Sequence, residues 1–351
     1  MRLGRAPIAL AGLIALAASA ACGGSTTVNQ AKAAAPPGTT ASTTDGSGTV
    51  VTQTPIAPLT GLPDPSGDTT HRPALMVKIE NAPEARPQSG LDAADVVFEE
   101  VVEGGVTRFI AVFHSSAPDP VGPVRSVRPM DPNIAGVLGG LFAYSGGIPD
   151  FQALLHKAPV QDVSYDNATA AYHWDNKRAR PHNLYASPEQ LWAKADDKHS
   201  APPKPLFAFR AAGEPFGDTD APAVHIKYSQ LASVAYAWDA ASGSWKRSQD
   251  GGPHMAASGA QIAPQNVIVQ SVAMRKLRYV DPSGTAVYES IVTGDGDAWI
   301  FSGGRMTKGR WSKPDAASPT TYTDAAGNPV KLAPGRTWVH FAPQGAAITV
   351  G

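Results

Sequence analysis

The chain of 351 residues contains one cysteine, Cys22, so no disulfide can form within it and burial with hydrogen bonding must hold any fold it adopts. The surroundings of Cys22 account for it. Arg2 and Arg5 open the chain, Pro7 to Ala18 is an apolar run, and Ser19, Ala20 and Ala21 lead into the cysteine. That is the order of a secretory signal, and the run falls short of the about 20 residues a membrane span needs. Small residues before a lone thiol predict a lipoprotein signal over 1–21, with Cys22 carrying a diacylglycerol that holds the chain to the membrane. Ser19 stands where such signals more often have an aliphatic residue, and an ordinary secretory signal with an incidental cysteine is the plainer alternative.

Residues 22–54 are mostly Gly, Ser, Thr, Ala and Pro, too poor in aliphatic clusters to offset the entropy of ordering, and read as a flexible tether. The remainder is long enough for two modest domains, set at 55–205 and 206–351 where the texture of the sequence changes. Without Arg2 and Arg5 the 29 basic residues become 27 against 30 acidic, a net charge of −3. That balance argues against nucleic acid and against a polybasic membrane patch. The expected location is the extracytoplasmic face of the bacterial cytoplasmic membrane.

The expected fold class is α+β, a mixed α/β N-terminal domain followed by a mainly antiparallel β domain. Residues 73–80 alternate as a half-buried strand, and 95–102 with 106–114 form a hairpin turning at Glu103-Gly104-Gly105. Asp131-Pro132 opens a helix whose apolar face runs through Ile134, Val137, Leu138, Leu141 and Phe142 to a stop at Gly146-Gly147. Ser187-Pro188-Glu189-Gln190 reads as a capping box for a second helix. Beyond 205, short strands are expected at 224–228, 233–238, 266–272, 286–292, 298–301, 336–341 and 347–350, in a barrel or sandwich. Gly294-Asp295-Gly296-Asp297 reads as a turn.

Motifs for serine nucleophiles, zinc hydrolysis and phosphate loops are missing from the sequence. The densest polar cluster is Gly122 to Pro129, where Arg125 and Arg128 lie three apart between prolines. Guanidinium forks suit phosphate or carboxylate, and pairing with Glu99, Glu100 or Glu103 of the hairpin is the competing account. Glu99 and Glu103 are expected on one strand face, with Glu100 on the other. Paired glutamates can serve glycoside hydrolysis or a strand-end salt-bridge ladder. A second concentration, Tyr172 to Asp175 and Arg178 to Tyr185, sets His173, Arg180, His182, Asn183 and Tyr185 among aromatics, as polar-ligand pockets do. Trp245-Lys246-Arg247, Pro253-His254 and Lys308 to Trp311 read chiefly as structural cation–π strips.

Taken together, these segments resemble the YerB family of bacterial lipoproteins, whose domains are of unknown function. The resemblance is carried by Ala85 to Leu91 (including Arg86), Ala94 to Glu100, Glu103 to Phe109 (including Arg108), Gly122 to Pro129 and Arg180 to Tyr185. Farther on it is carried by Trp245 to Arg247, Asn266 to Gln270, Gly309 to Trp311 and Pro334 to Trp338, so that it spans about 58–345 in order. It implies a two-domain layout in the envelope and no established reaction. The resulting expectation is a non-enzymatic lipoprotein, without a cofactor, that binds a cell-wall glycan, a phosphate-bearing precursor or an envelope protein. The alternative is an enzyme on a lipid-linked or cell-wall glycan. It would set Arg108, Arg125 and Arg128 against a pyrophosphate with Glu99 or Glu103 as the carboxylate, and only this alternative calls for a divalent metal.

Overall fold

Leu75–Glu80 is buried along its whole length, charged residues included, and this requires cover on both faces of the strand. The computed structural model describes residues 54–351 apart from 282–283, with the backbone of two short paired strands, Thr43–Thr44 and Val50–Val51. The signal, Cys22 and most of the tether expected over 22–54 lie outside the described residues.

In chain order the principal strands begin with Leu75–Glu80 (β1), Val96–Val101 (β2), Thr107–Phe113 (β3), Leu141–Ala143 (β4) and Gln161–Asp162 (β5). Next come Ala223–Lys227 (β6), Ser233–Asp239 (β7), Ser244–Gln249 (β8), Asn266–Val280 (β9) and Ala286–Ile291 (β10). Gly294–Ser302 (β11), Arg305–Lys313 (β12), Thr337–Pro343 (β13) and Ala347–Val350 (β14) complete them. The helices are Asp131–Ala135 (α1), Pro149–Leu155 (α2) and Pro188–Trp192 (α3).

One large sheet runs in the order β12, β11, β9, β13, β2, β3, β1, β4, β5. Strands β9, β13 and β2 are parallel neighbours, as are β1, β4 and β5, while β3 runs against both β1 and β2. The sheet therefore carries strands from both sides of residue 205. A second sheet of Gly252–Pro253, β8, β7, β6 and β14 covers one face, joined toward the N-terminal side by the 172–174/184–186 hairpin and α3. Helices α1 and α2 cover the other face. Parallel strands sealed on both sides read as unbroken apolar runs, as Val267-Ile268-Val269 does. The half-buried strand expected over 73–80 is thus corrected: it is a strand buried on both faces.

The chain is mainly β, which also corrects the mixed α/β expectation for its N-terminal part. The predicted helix from Asp131 ends after Ala135, and Leu141 and Phe142, assigned to its apolar face, belong to β4. Glycine explains the break. Gly139 and Gly140 both take positive φ, and a Cβ at Gly140 would stand 2.3 Å from the Ala74 carbonyl oxygen. Only glycine lets the chain approach so closely, and Leu141 N–H then donates to Ala74 at 2.9 Å. Ser187 caps no helix through its side chain; its Oγ donates to Asp119 at 2.8 Å. The expected hairpin forms, with Glu103–Gly105 as a short 3-10 turn. The expected turn at 294–297 is instead the start of β11, where exposed Arg310 on β12 pairs with Asp295 and Asp297.

Candidate functional site

Successive residues of β2 point to opposite faces, and its two glutamates enter separate buried networks. Glu99 faces the second sheet. Both of its oxygens accept from Arg247 Nη2, at 2.9 and 3.1 Å. Thr107 Oγ1 donates to it at 2.7 Å, and His340 Nδ1 lies 3.1 Å away. Burial raises the Glu99 pKa, but Arg247, His340 and Thr107 outweigh it and hold the carboxyl at about 2. Arg247 also reaches Gln249 and His254, and His254 meets Gln88 at 2.8 Å. Tyr228 and Tyr236 hydrogen-bond the two nitrogens of His340. All these groups are buried, and although Arg247 Nε has no partner among the described residues, the network's bonds from Arg247 to Glu99 and from the tyrosines to His340 run between the two sheets and join them.

Glu100 faces the helices. Lys78 Nζ donates to it and, at 2.7 Å, to Asp131, whose other oxygen accepts the Arg128 N–H at 2.7 Å. One ammonium thus serves two carboxylates, and among the described residues Glu100 Oε2 has no partner. Burial first, and then Asp131, push the Glu100 pKa up to about 8.

Beside this network, at the carboxyl ends of β1, β2 and β4, stand the arginines. Open sheets with parallel strands commonly bind ligands at that end. The 122–127 segment is zipped to the end of β1 by Glu80 N–H to Pro123 (3.0 Å) and Arg125 N–H to Lys78 (2.8 Å). Its other side meets the loop after β4 through Ser145 N–H to Arg125 and Val127 N–H to Gly146. Arg128 donates through Nε and Nη2 to Glu103 at 2.9 and 2.6 Å. Arg125 Nε lies 3.1 Å from Glu80, whose other oxygen meets His182 at 2.8 Å. Arg108 differs from both. It is buried on β3, in register with Glu80 and Glu100, yet among the described residues no carboxylate lies within 4.0 Å of it. Its one side-chain hydrogen bond among the described residues is a long contact of 3.4 Å to the Ser126 carbonyl. Burial, and then Arg128 and Arg125, lower its pKa to about 10. Half-buried Ser126 adds an N–H and an Oγ without protein partners among the described residues, as do the N–H groups of Gly146 and Gly147. Uncommitted donors on the segments beside a guanidinium without a carboxylate suit an anion.

The structure therefore brings Glu103, Arg108, Arg125, Arg128 and His182 together. Glu99 lies across the sheet from them, and Glu103 does not share its strand face, because β2 ends at Val101 and the turn redirects the chain. Exposed His173 stacks on Tyr185 at 5.8 Å, Arg180 lies over Trp174 at 4.6 Å, and Asn183 donates to the Asp175 carbonyl at 3.1 Å. Arg86 reaches Asp250 at 2.8 Å, at the mouth of a separate recess beside His254. Sequence reasoning missed Lys78, Glu80 and Asp131. Charges inside an otherwise apolar strand were the available signal for the first two. Among the described residues no group of three or more His, Cys, Asp or Glu is placed to hold a metal.

Family models described as the N-terminal and C-terminal domains of a protein of unknown function (DUF3048) match residues 59–201 and 224–339. The chain belongs to this YerB-like family. A relative from Bacillus subtilis (strain 168), named "Putative lipoprotein YerB", is 27% identical over 293 residues, covering 82% of this chain and 86% of the relative. A crystal structure of YerB protein from Bacillus subtilis superposes with a TM-score of 0.72 at 26% identity, covering 84% of this chain and 99% of that one. Arg108, Arg125 and Arg128 fall in the first matched segment of the family, and Arg247 and His254 in the second.

Proposed function

We propose that the chain is a lipid-anchored protein of the cell envelope whose Arg108 site binds a phosphate- or carboxylate-bearing envelope ligand. The anchor reading rests on the N-terminal sequence through Cys22 and on the name of the Bacillus relative. Among the described residues no helix is long and apolar enough to cross a membrane. Replacement of Cys22 by serine is expected to move the chain from the membrane fraction to the soluble fraction of cells. A chain that still sediments with membranes would sink the anchor.

One observation carries the ligand reading. Among the described residues Arg108 is a buried guanidinium with no carboxylate within 4.0 Å, only the more distant fields of Glu103 and Glu80, and a buried charge without a direct partner is costly. An anion at Arg108 would supply the missing countercharge, with Ser126 and the Gly146-Gly147 amides as neutral donors. Arg125 and Arg128 would strengthen the field while staying paired with Glu80 and Glu103. Inorganic phosphate titrated into the full chain in detergent, followed by calorimetry, tests this directly. Arg108→Ala is expected to weaken binding by about tenfold or more, the size of a lost charge-assisted hydrogen bond. Thermal unfolding of the variant shows whether the fold survives. Binding unchanged in a folded Arg108→Ala variant would remove the site.

A further inference from the structure

The Arg108 site has a neighbour that the anion reading leaves unused. Arg128 closes the site, and the next residue, Pro129, lines a groove of about 380 Å³ between α2 and the arm formed by β9 and β10. The groove adjoins the site: β10, on its arm side, packs against the 103–105 turn that carries Glu103. The arm is fastened to the helix across the groove: Tyr279 Oη donates to Asp150, Arg278 reaches Asp150 at 3.3 Å, and the Phe151 and Tyr279 rings meet edge-on at 5.0 Å.

The lining decides what such a groove can hold. Tyr279, Leu154 and Leu277 provide ring and aliphatic surface over buried Phe151, and Leu154 is 42% exposed. Charged groups alternate with them along the rim: Asp150 and Lys157 on the helix side, and the Arg275–Glu289 pair, at 3.0 Å, on the arm. An alkyl chain would leave these charges facing hydrocarbon, which is unfavourable. A sugar fits both sets, since its C–H faces lie against rings and its hydroxyls exchange hydrogen bonds with charged rims. The volume falls at the lower end of the about 300–1,000 Å³ of small-molecule pockets and suits a short oligosaccharide.

We propose that the ligand of the Arg108 site is an anionic glycan, with its phosphate or carboxylate at Arg108 and its adjoining sugars in the groove between α2 and the β9–β10 arm. This rests on the anion-binding reading above and narrows it to one ligand class.

The test compares probes by calorimetry on the full chain in detergent: inorganic phosphate, a phosphorylated disaccharide, a uronic-acid disaccharide, the neutral disaccharide and dodecyl phosphate. At least one charged disaccharide is expected to bind roughly tenfold tighter, or more, than both inorganic phosphate and the neutral sugar. The phosphorylated and uronic-acid forms tell phosphate from carboxylate. Leu154→Trp, a change at an exposed helix position that fills the groove, is expected to abolish that gain and leave inorganic phosphate binding untouched. Arg108→Ala is expected to weaken every anionic probe. Charged disaccharides no tighter than phosphate, or dodecyl phosphate gaining as much as they do, would overturn the glycan and leave the anion site standing. If no probe binds the folded chain, both readings fall together.

Discussion

Arg247→Ala is expected to lower the unfolding free energy by about 3–5 kcal/mol at pH 7, the range for breaking a buried ion pair from one side. Glu99 and Arg247 are both sealed from solvent, so the variant leaves a carboxylate that must stay charged without a partner or take up a proton. The loss goes beyond charge. The guanidinium lies 4.8 Å over Trp338 and 5.5 Å over Phe109, and it donates to Gln249 and His254, which would each lose a partner. Urea titration measures the difference. A loss under about 1 kcal/mol would contradict the assignment, being the size of a surface pair. The combination Glu99→Leu/Arg247→Met should recover much of the loss, because apolar replacement of a whole buried pair is often neutral or better.

The acid limb follows from the same pair. The folded Glu99 pKa is about 2, below its unfolded value near 4.5. A depressed carboxylate contributes its full stability above the unfolded pKa and loses it as pH falls through the folded one. Glu99 thus contributes on the order of 3 kcal/mol above pH ~4.5, and this fades between pH ~4.5 and ~2. Most of the Arg247→Ala penalty should fade over the same interval.

What the sequence revealed depended on the range of the forces involved. The hairpin at Glu103-Gly104-Gly105 and the strands beginning at Ser233 and Asn266 were legible because alternation and turn glycines act locally. The helix carried past Ala135 failed for a reason beyond the reach of periodicity. Leu141 and Phe142 fit a helical face as well as a strand, and the pairing of β4 with β1 settles the choice. Strand β1 shows the same limit: Lys78 and Glu80 read as a solvent face until α1, the 122–127 segment and His182 are known to lie over them. Among the arginines, Arg125 and Arg128 stood out by motif. Arg108 was named beside them without a motif of its own, and that it lacks a carboxylate was hidden, because lacking a partner is a property of three dimensions. The Glu99–Arg247 network was hidden for the complementary reason, since 148 residues separate its ends.

Lys78→Met is expected to cost about 3–5 kcal/mol at pH 9.5 and distinctly less at pH 5. Lys78 is the one ammonium donating to both Glu100 and Asp131, and all three side chains are fully buried. At pH 9.5 wild-type Glu100 is ionised beside Lys78; without Lys78, which lowers its pKa, it must keep a proton or face Asp131 with no bridging cation. At pH 5 Glu100 holds its proton, while Asp131 keeps the Arg128 N–H. The wild-type chain should foreshadow this pH dependence. Its Glu100 pKa is raised to about 8 from an ordinary 4.5, so between those values the folded state binds more protons than the unfolded one. Stability then falls as pH rises from ~4.5 to ~8, the opposite slope to that of Glu99. Glu100→Gln should flatten this slope, and measuring Lys78→Met in that background isolates Glu100 from the histidines that titrate over the same range. Urea titrations at pH 5 and pH 9.5 on the four chains decide the matter. Equal penalties for Lys78→Met at both pH values, or no recovery in Lys78→Met/Glu100→Gln, would mean that Glu100 is not the group that keeps the proton.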